Sequence, residues 1–270
     1  MRDNYASEIW DMISGGTIDP RMIVFGCGGA GSHIIGRLSD DLKGIPRVAV
    51  NTDLDSLKGV EADRKICVGK TITFGMDSRG YPEVAERSAE LAGDEIRNCL
   101  ISKDIVFIVA GYGGGSGTGI APYVATTAKG LGLVPFGIVV LPFSAEGSRR
   151  SMAEDEVERL RAVTESTIVL DNDNLQRFGD KVTLDRAFHI MDRMVLKIIN
   201  DVADRMSRNF MAAIADEIIA YHSEFGTVEP APIGMGAPSG GLAVGINSAP
   251  GEFETPEHQL VNMGGLFERR

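Results

Sequence analysis

The chain has 270 residues, 43% of them hydrophobic and 24% charged, the balance of a soluble folded protein with room for one large domain or two small ones. Its formal net charge of −11 opposes non-specific binding to nucleic acid or anionic lipid, but not a nucleotide held by backbone amides. No apolar run approaches the ~20 residues that span a bilayer, and three cysteines, Cys27, Cys67 and Cys99, without metal-ligand spacing point to reduced thiols in the cytoplasm.

In chain order, an amphipathic stretch Tyr5–Ile13 lies within an N-terminal extension, residues 1–20. The apolar run Met22–Phe25 reads as a strand and leads into Gly26-Cys27-Gly28-Gly29-Ala30-Gly31, a G-x-G-x-x-G loop, followed by a helical pattern over Gly29–Leu42. A second strand, Arg47–Asn51, ends just before Asp53, which lies 22 residues beyond Gly31, where a dinucleotide fold carries its ribose-binding acid. Those features alone support an NAD-binding oxidoreductase. Strand patterns at Lys65–Val68, Asp104–Ala110, Val134–Leu141 and Thr167–Leu170 then alternate with helical patterns at Pro82–Leu100, Gly119–Leu131, Ser148–Thr164 and Asn172–Phe178. The alternation predicts an α/β fold, a three-layer, doubly wound parallel sheet over residues 21–183.

From Leu184 the pattern becomes one apolar stripe through Phe188, Met191, Val195, Ile198, Val202, Met206, Phe210, Ile214 and Ile218, with no Pro or Gly before Gly226. It predicts one long helix over 184–225 that acts as a spine. Beyond it, residues 226–270 are rich in Gly and Pro and read as a flexible or loosely docked tail, with Leu242–Ile246 able to add a strand.

A second glycine cluster, Gly111-Tyr112-Gly113-Gly114-Gly115-Ser116-Gly117-Thr118-Gly119, sits between a strand and a helix. Consecutive backbone N–H groups can turn toward one anion there, and the helix adds its positive end. A dinucleotide domain needs one such cradle; two imply a longer phosphate chain gripped from both sides. No G-x-x-x-x-G-K-[ST] motif occurs, which removes the P-loop route to a triphosphate.

The run Gly113–Gly119, G-G-G-S-G-T-G, resembles the tubulin/FtsZ signature G-G-G-T-G-T-G, with Ser116 in place of Thr. The likeness continues in order through Gly26–Gly31, Asn51-Thr52-Asp53, Tyr81-Pro82-Glu83-Val84, Pro142-Phe143 with Glu146-Gly147-Ser148-Arg149-Arg150, Leu170–Asp173, and Asp185–Phe188. The resemblance implies a GTP-binding domain that takes GTP and GDP with Mg2+. Gly28, Gly29, Gly31 and Ser32 would serve the inner phosphates and Gly113, Gly114, Gly115, Ser116, Gly117, Thr118 and Gly119 the outer ones. Glu146 would meet the ribose hydroxyls and Arg150 the ribose or base, while Arg149 is read as an exposed structural charge. Asn172 would hold the base edge, and Phe188 would wall the ring or join the core stripe. Asp192, an acceptor-only carboxylate, suits the N1–H and N2–H2 donors of guanine. Asn51 and Asp53 would stand near the terminal phosphate; Mg2+ would be held through phosphate oxygens, with Asp53 outer-sphere and no direct protein ligand.

Two departures bear on activity. The loop before Tyr81 reads Phe74-Gly75-Met76-Asp77-Ser78-Arg79-Gly80, where Arg79 either supplies charge to the terminal phosphate or pairs with Asp77. The family's N-x-D-x-x-D loop after the central helix has no counterpart at Ala213–Ile218, and the stretch 226–270 is too short for the family's second domain of about a hundred residues. Replacement acids would have to come from Asp204, Asp216, Glu217 or a partner. Slow or partner-dependent GTP hydrolysis, with a cytoskeletal role, is therefore expected, against a non-hydrolysing switch that binds partners or itself through the long helix and tail.

Overall fold

The computed structural model describes residues 20–38, 41–42, 44–178 and 183–225. They belong to one of two compact units, the one ending at Gly226. The expected N-terminal segment Tyr5–Ile13, the tail from residue 226 and its strand Leu242–Ile246 lie outside the described residues.

Six parallel strands form one sheet: β1 (Met22–Cys27), β2 (Arg47–Asn51), β3 (Arg64–Cys67), β4 (Ile105–Gly111), β5 (Val134–Leu141) and β6 (Ser166–Asp171), in the order β3-β2-β1-β4-β5-β6. The central strands are apolar on both faces because helices cover both. Along β4, Val106, Ile108 and Ala110 enter one core, whereas Ile105, Phe107 and Val109 enter the other. Phe107 stacks on Phe136 of β5 in the second core, with ring centroids 5.8 Å apart.

The helices are α1 (Gly28–Arg37), α2 (Leu54–Lys58), α3 (Pro82–Leu91), α4 (Gly93–Leu100), α5 (Gly115–Gly130), α6 (Ser148–Arg161) and α7 (Leu184–Phe225). Side chains of α3 to α6 fill the first core; α1, α2 and the first half of α7 fill the second. The result is the three-layer architecture expected from the strand–helix alternation, ending in a 42-residue helix about 63 Å long at 1.5 Å per residue.

Four expected elements change. α1 ends at Arg37 rather than Leu42, because Leu38 leaves helical geometry and the Leu42 N–H folds back onto its carbonyl. The helix expected over Pro82–Leu100 breaks at Ala92, whose N–H is shared among three carbonyls, and Gly93 lies so close to the Tyr123 hydroxyl that a Cβ would stand 2.5 Å away. α5 begins at Gly115 instead of Gly119, so half of the second glycine cluster is a helical turn. Asn172–Phe178 is a 3-10 helix, stopped short of α geometry as the Asp171 carboxylate takes the Asp173 N–H. α2, only five residues long, has no periodicity to announce it; its signal is Asp53, whose side chain caps the Ser56 N–H at 3.0 Å.

Candidate functional site

β1 and β4 are neighbours, but their connections run opposite ways, β1 onward to β2 and β4 onward to β5. A crevice therefore opens beyond their carboxyl ends, and both glycine loops start in it. The loops touch. Gly28, at φ 72°, adopts a backbone that side-chain-bearing residues avoid, and a Cβ there would stand 2.4 Å from the Gly117 nitrogen. A Cβ on Gly31 would fall 2.2 Å from the Val109 carbonyl oxygen, so its absence lets α1 sit directly on β4. Gly29 and Gly114 differ: their Cβ positions meet only the Ser56 hydroxyl at 3.7 Å and the Arg149 guanidinium at 4.0 Å, respectively. These two mark the open face of the cradle.

Neither α1 nor α5 has a side-chain N-cap, unlike α2. Their first-turn N–H groups and positive dipole ends thus meet at one place without a side-chain acceptor, the arrangement that attracts anions. The hydroxyls expected beside phosphates are engaged within the protein. Ser32 donates to the Gly26 carbonyl at 3.0 Å, Thr118 accepts the Gly113 N–H at 3.2 Å, and Ser116 lies 2.7 Å from the Thr52 hydroxyl and 3.3 Å from that of Ser78. All are buried and need such partners; they hold the loops' shape. Ser116 thereby ties the second loop to both the β2 loop and the 71–81 loop. Asn51, also buried, accepts the Thr52 N–H at 2.8 Å.

On α7, whose first half packs in the second core, Asp192 is 3% exposed and Phe188 47% exposed. The Asp192 carboxylate takes two parallel bonds from Arg37 of α1, Nε to Oδ2 at 2.6 Å and Nη2 to Oδ1 at 2.8 Å, and the same guanidinium lies 6.0 Å over the Phe188 ring. Phe188 is thus outside the core that its periodicity allowed; Ala187, Met191, Val195, Leu196 and Ile199 form the buried stripe. Asn172 opens the turn after β6, half-buried.

Charged pairs frame the rim. Glu146 accepts the Phe143 N–H at 2.9 Å and pairs with Arg149 at 2.6 Å; Arg149 also donates to the Gly113 carbonyl at 3.1 Å, so it joins the rim to the second glycine loop. Arg150 grips Asp171 with two bonds of 2.7 and 2.8 Å and reaches Glu154 and the Pro142 carbonyl, which fastens the carboxyl ends of β5 and β6 together. The Arg150 hydrogen bonds hold the Asp171 carboxyl below its ordinary range, against the opposing effect of burial.

The remaining expected residues are spread out. Arg79 is exposed at φ 53° and has no ion pair among the described residues, with Asp77 or otherwise. It neighbours Ser78, which touches the second loop. Asp204 and Asp216 are exposed on α7, about 18 and 36 Å along the axis from Asp192 by helical rise, with Glu217 following. Among the described residues no cluster of three or more acids, cysteines or histidines is placed to hold a metal ion. Sequence reasoning passed over Arg37, Thr52, Ser78 and Asp171. Asp171 ends a parallel strand at the ligand-binding edge, a readable signal; the other three are defined only by contacts between distant segments.

Strand order and twin glycine loops at the switch point define the class: a doubly wound, Rossmann-like α/β domain. The chain belongs to the tubulin/FtsZ family, since the model of the Tubulin/FtsZ family, GTPase domain, matches residues 21–180. That membership decides against the oxidoreductase reading of the first loop. Over 191 residues the chain is 40% identical to cell division protein FtsZ 2 of Haloferax volcanii, covering 70% of this chain and 48% of that one. It is 35% identical over 190 residues to FtsZ 2 of Methanocaldococcus jannaschii, covering 70% and 50%. An empty FtsZ dimer from M. jannaschii superposes with a TM-score of 0.67 at 33% identity, covering 74% of this chain and 59% of that one. The chain spans about half the length of the curated relatives it matches. No helix among the described residues is long and apolar enough to cross a membrane.

Proposed function

We propose that the crevice beyond β1 and β4 binds GTP and GDP. The observation that carries this reading is the pair of uncapped helix N-termini, α1 and α5, meeting through glycine loops in backbone contact, with the acceptor-only carboxylate of Asp192 at the far end. Gly29 and Gly114 offer the open faces for phosphate, the hydroxyls of Ser32, Ser116 and Thr118 shape the loops, and Glu146 and Asn172 border the ribose and base. Asp53 keeps one carboxylate oxygen on its helix cap, and its other oxygen makes no bond among the described residues, so it suits a water of Mg2+ better than the ion itself. Mg2+ would be held by phosphate oxygens and would neutralise charge on them.

Turnover is slow or completed by a second subunit. Asp204 and Asp216 stand too far along α7 to reach a nucleotide in their own crevice, and Arg79 is the exposed cation nearest the second loop's supporting Ser78. Self-association, the state in which the M. jannaschii relative was solved as a dimer, would bring acids from a neighbour and give a cytoskeletal polymer.

Calorimetric titration of the whole chain with GDP and ADP tests the binding reading. GDP is expected to bind more tightly by about 100-fold, and Asp192→Ala to erase that preference, since two charge-assisted bonds are lost. Equal binding of both nucleotides would refute it. Phosphate release that rises faster than linearly with protein concentration marks a shared site; linear release marks a complete one; none marks a non-hydrolysing switch.

A further inference from the structure

The Asp192 carboxylate is already occupied. Its side chain is 4% exposed, and it is bonded by the Arg37 guanidinium, itself 46% exposed at the last turn of α1. The two bonds are parallel and side-on, one N–H to each oxygen, and so they use the outward-facing lone pairs of both carboxylate oxygens. A second two-pronged donor cannot share them. The guanidinium carbon lies 6.0 Å from the centre of the Phe188 ring, an exposed aromatic one helical turn before Asp192.

Guanine offers the same chemical unit. Its N1–H and N2–H2 sit on one carbon, as Nε–H and Nη2–H of arginine do, and its ring would lie on the same aromatic face. We infer that Arg37 is a guanine mimic held inside the chain: it and guanine compete for Asp192 and Phe188, and it must swing out to solvent when the base takes them. This inference rests on the guanine reading proposed above. Adenine has no such donor pair on that edge, so discrimination rests with Asp192, while Arg37 lowers apparent affinity in proportion to the fraction of chains in which it is docked. Because Arg37 ends the helix whose start forms the first phosphate cradle, the plug and the cradle belong to one rigid element.

The test uses neutral guanosine and adenosine, so that removing a positive charge does not itself alter attraction for phosphate. Binding to the full chain is followed by ligand-observed NMR. Arg37→Ala is expected to bind guanosine roughly tenfold more tightly than the parent chain, with Arg37→Lys, which keeps the charge but loses the fork, in between. Added methylguanidinium should compete with guanosine on Arg37→Ala and leave the parent nearly unchanged, an effect that a merely structural role would not produce. If Arg37→Ala melts normally but binds guanosine no better, while Asp192→Asn still loses the preference over adenosine, the mimic is overturned and the guanine reading stands. If neither the parent nor Arg37→Ala prefers guanosine, the guanine reading falls and the mimic with it.

Discussion

The glycine cradle and the α7 side-chain cluster are built by different means. At the β1–β4 end the surface is backbone: glycines allow loops and helix starts to approach within distances that no Cβ tolerates, and hydroxyls lock them from behind. By α7 the surface is side chain, Asp192, Arg37 and Phe188 in one cluster, and side chains also build the rim, Glu146 with Arg149 and Arg150 with Asp171. Where backbones touch, at Gly28 and Gly31, such a cradle tolerates no added Cβ, and it carries no specificity beyond charge. A side-chain cluster can be rearranged, and on the proposed reading it is where one nucleotide is told from another.

The sharpest break in that comparison is Gly31→Ala. The added methyl would lie 2.2 Å from the Val109 carbonyl oxygen, a backbone atom in the central strand that cannot move aside. A loss of about 3 kcal/mol is expected in urea unfolding. A stable Gly31→Ala would mean that α1 can lift off the sheet, contrary to a rigid cradle. At the other end Arg150→Ala removes the double bond to Asp171 and the bond to the Pro142 carbonyl; about 2 kcal/mol is expected from lost charge-assisted bonds in a partly solvated place. The smaller loss reflects water's ability to solvate the freed carboxylate, which no solvent can do for a steric clash.

This contrast also explains what could be read from the sequence. Strands β1, β2, β4 and β5 announce themselves as short apolar runs rich in β-branched residues, and α7 by an unbroken apolar stripe, because both depend on neighbours within a few residues. The two glycine loops between strand and helix were legible for the same reason. Their division of labour was not: whether Gly29 or Gly31 faces open space depends on β4, which lies more than seventy residues on. Arg37 is harder still. It sits inside an ordinary amphipathic helix, and its partner is 155 residues away, so no local pattern distinguishes it from a surface arginine. Phe188 went the other way, since its spacing fits the core stripe but its side chain stays 47% exposed beside buried Ala187.

Acid separates the two ends more gently. Arg150 holds Asp171 below the usual carboxylate range through its hydrogen bonds, and Arg21 does the same for Asp104 at the opposite edge of the sheet. Such lowered groups contribute stability that is full above the unfolded carboxylate pKa of about 3.9 and is lost as pH falls through the folded value. Urea midpoints are expected to be flat between about pH 5 and 7 and to drop below about pH 4. Asp171→Asn should lower the neutral plateau and shrink the drop. A drop of unchanged size in that variant would show that the rim pair does not set the acid limit.

The smallest effect on folding falls where the effect on binding is greatest. Gly29 is the second residue of α1, and its added Cβ would meet only the Ser56 hydroxyl at 3.7 Å, ordinary contact. In a helix, alanine is favoured over glycine by up to about 1 kcal/mol, so Gly29→Ala should melt at or slightly above the parent temperature. If the open face receives phosphate, however, the methyl stands where phosphate oxygens approach the α1 amides, and GDP affinity should fall about tenfold or more, while guanosine, which lacks phosphate, is unaffected. Unchanged GDP binding would move the phosphates away from α1 and leave α5 as their sole anchor. Gly114→Ala, open in the same way at the start of α5, then becomes the deciding partner: weakened GDP binding there with Gly29→Ala silent would assign the phosphates to the second loop alone.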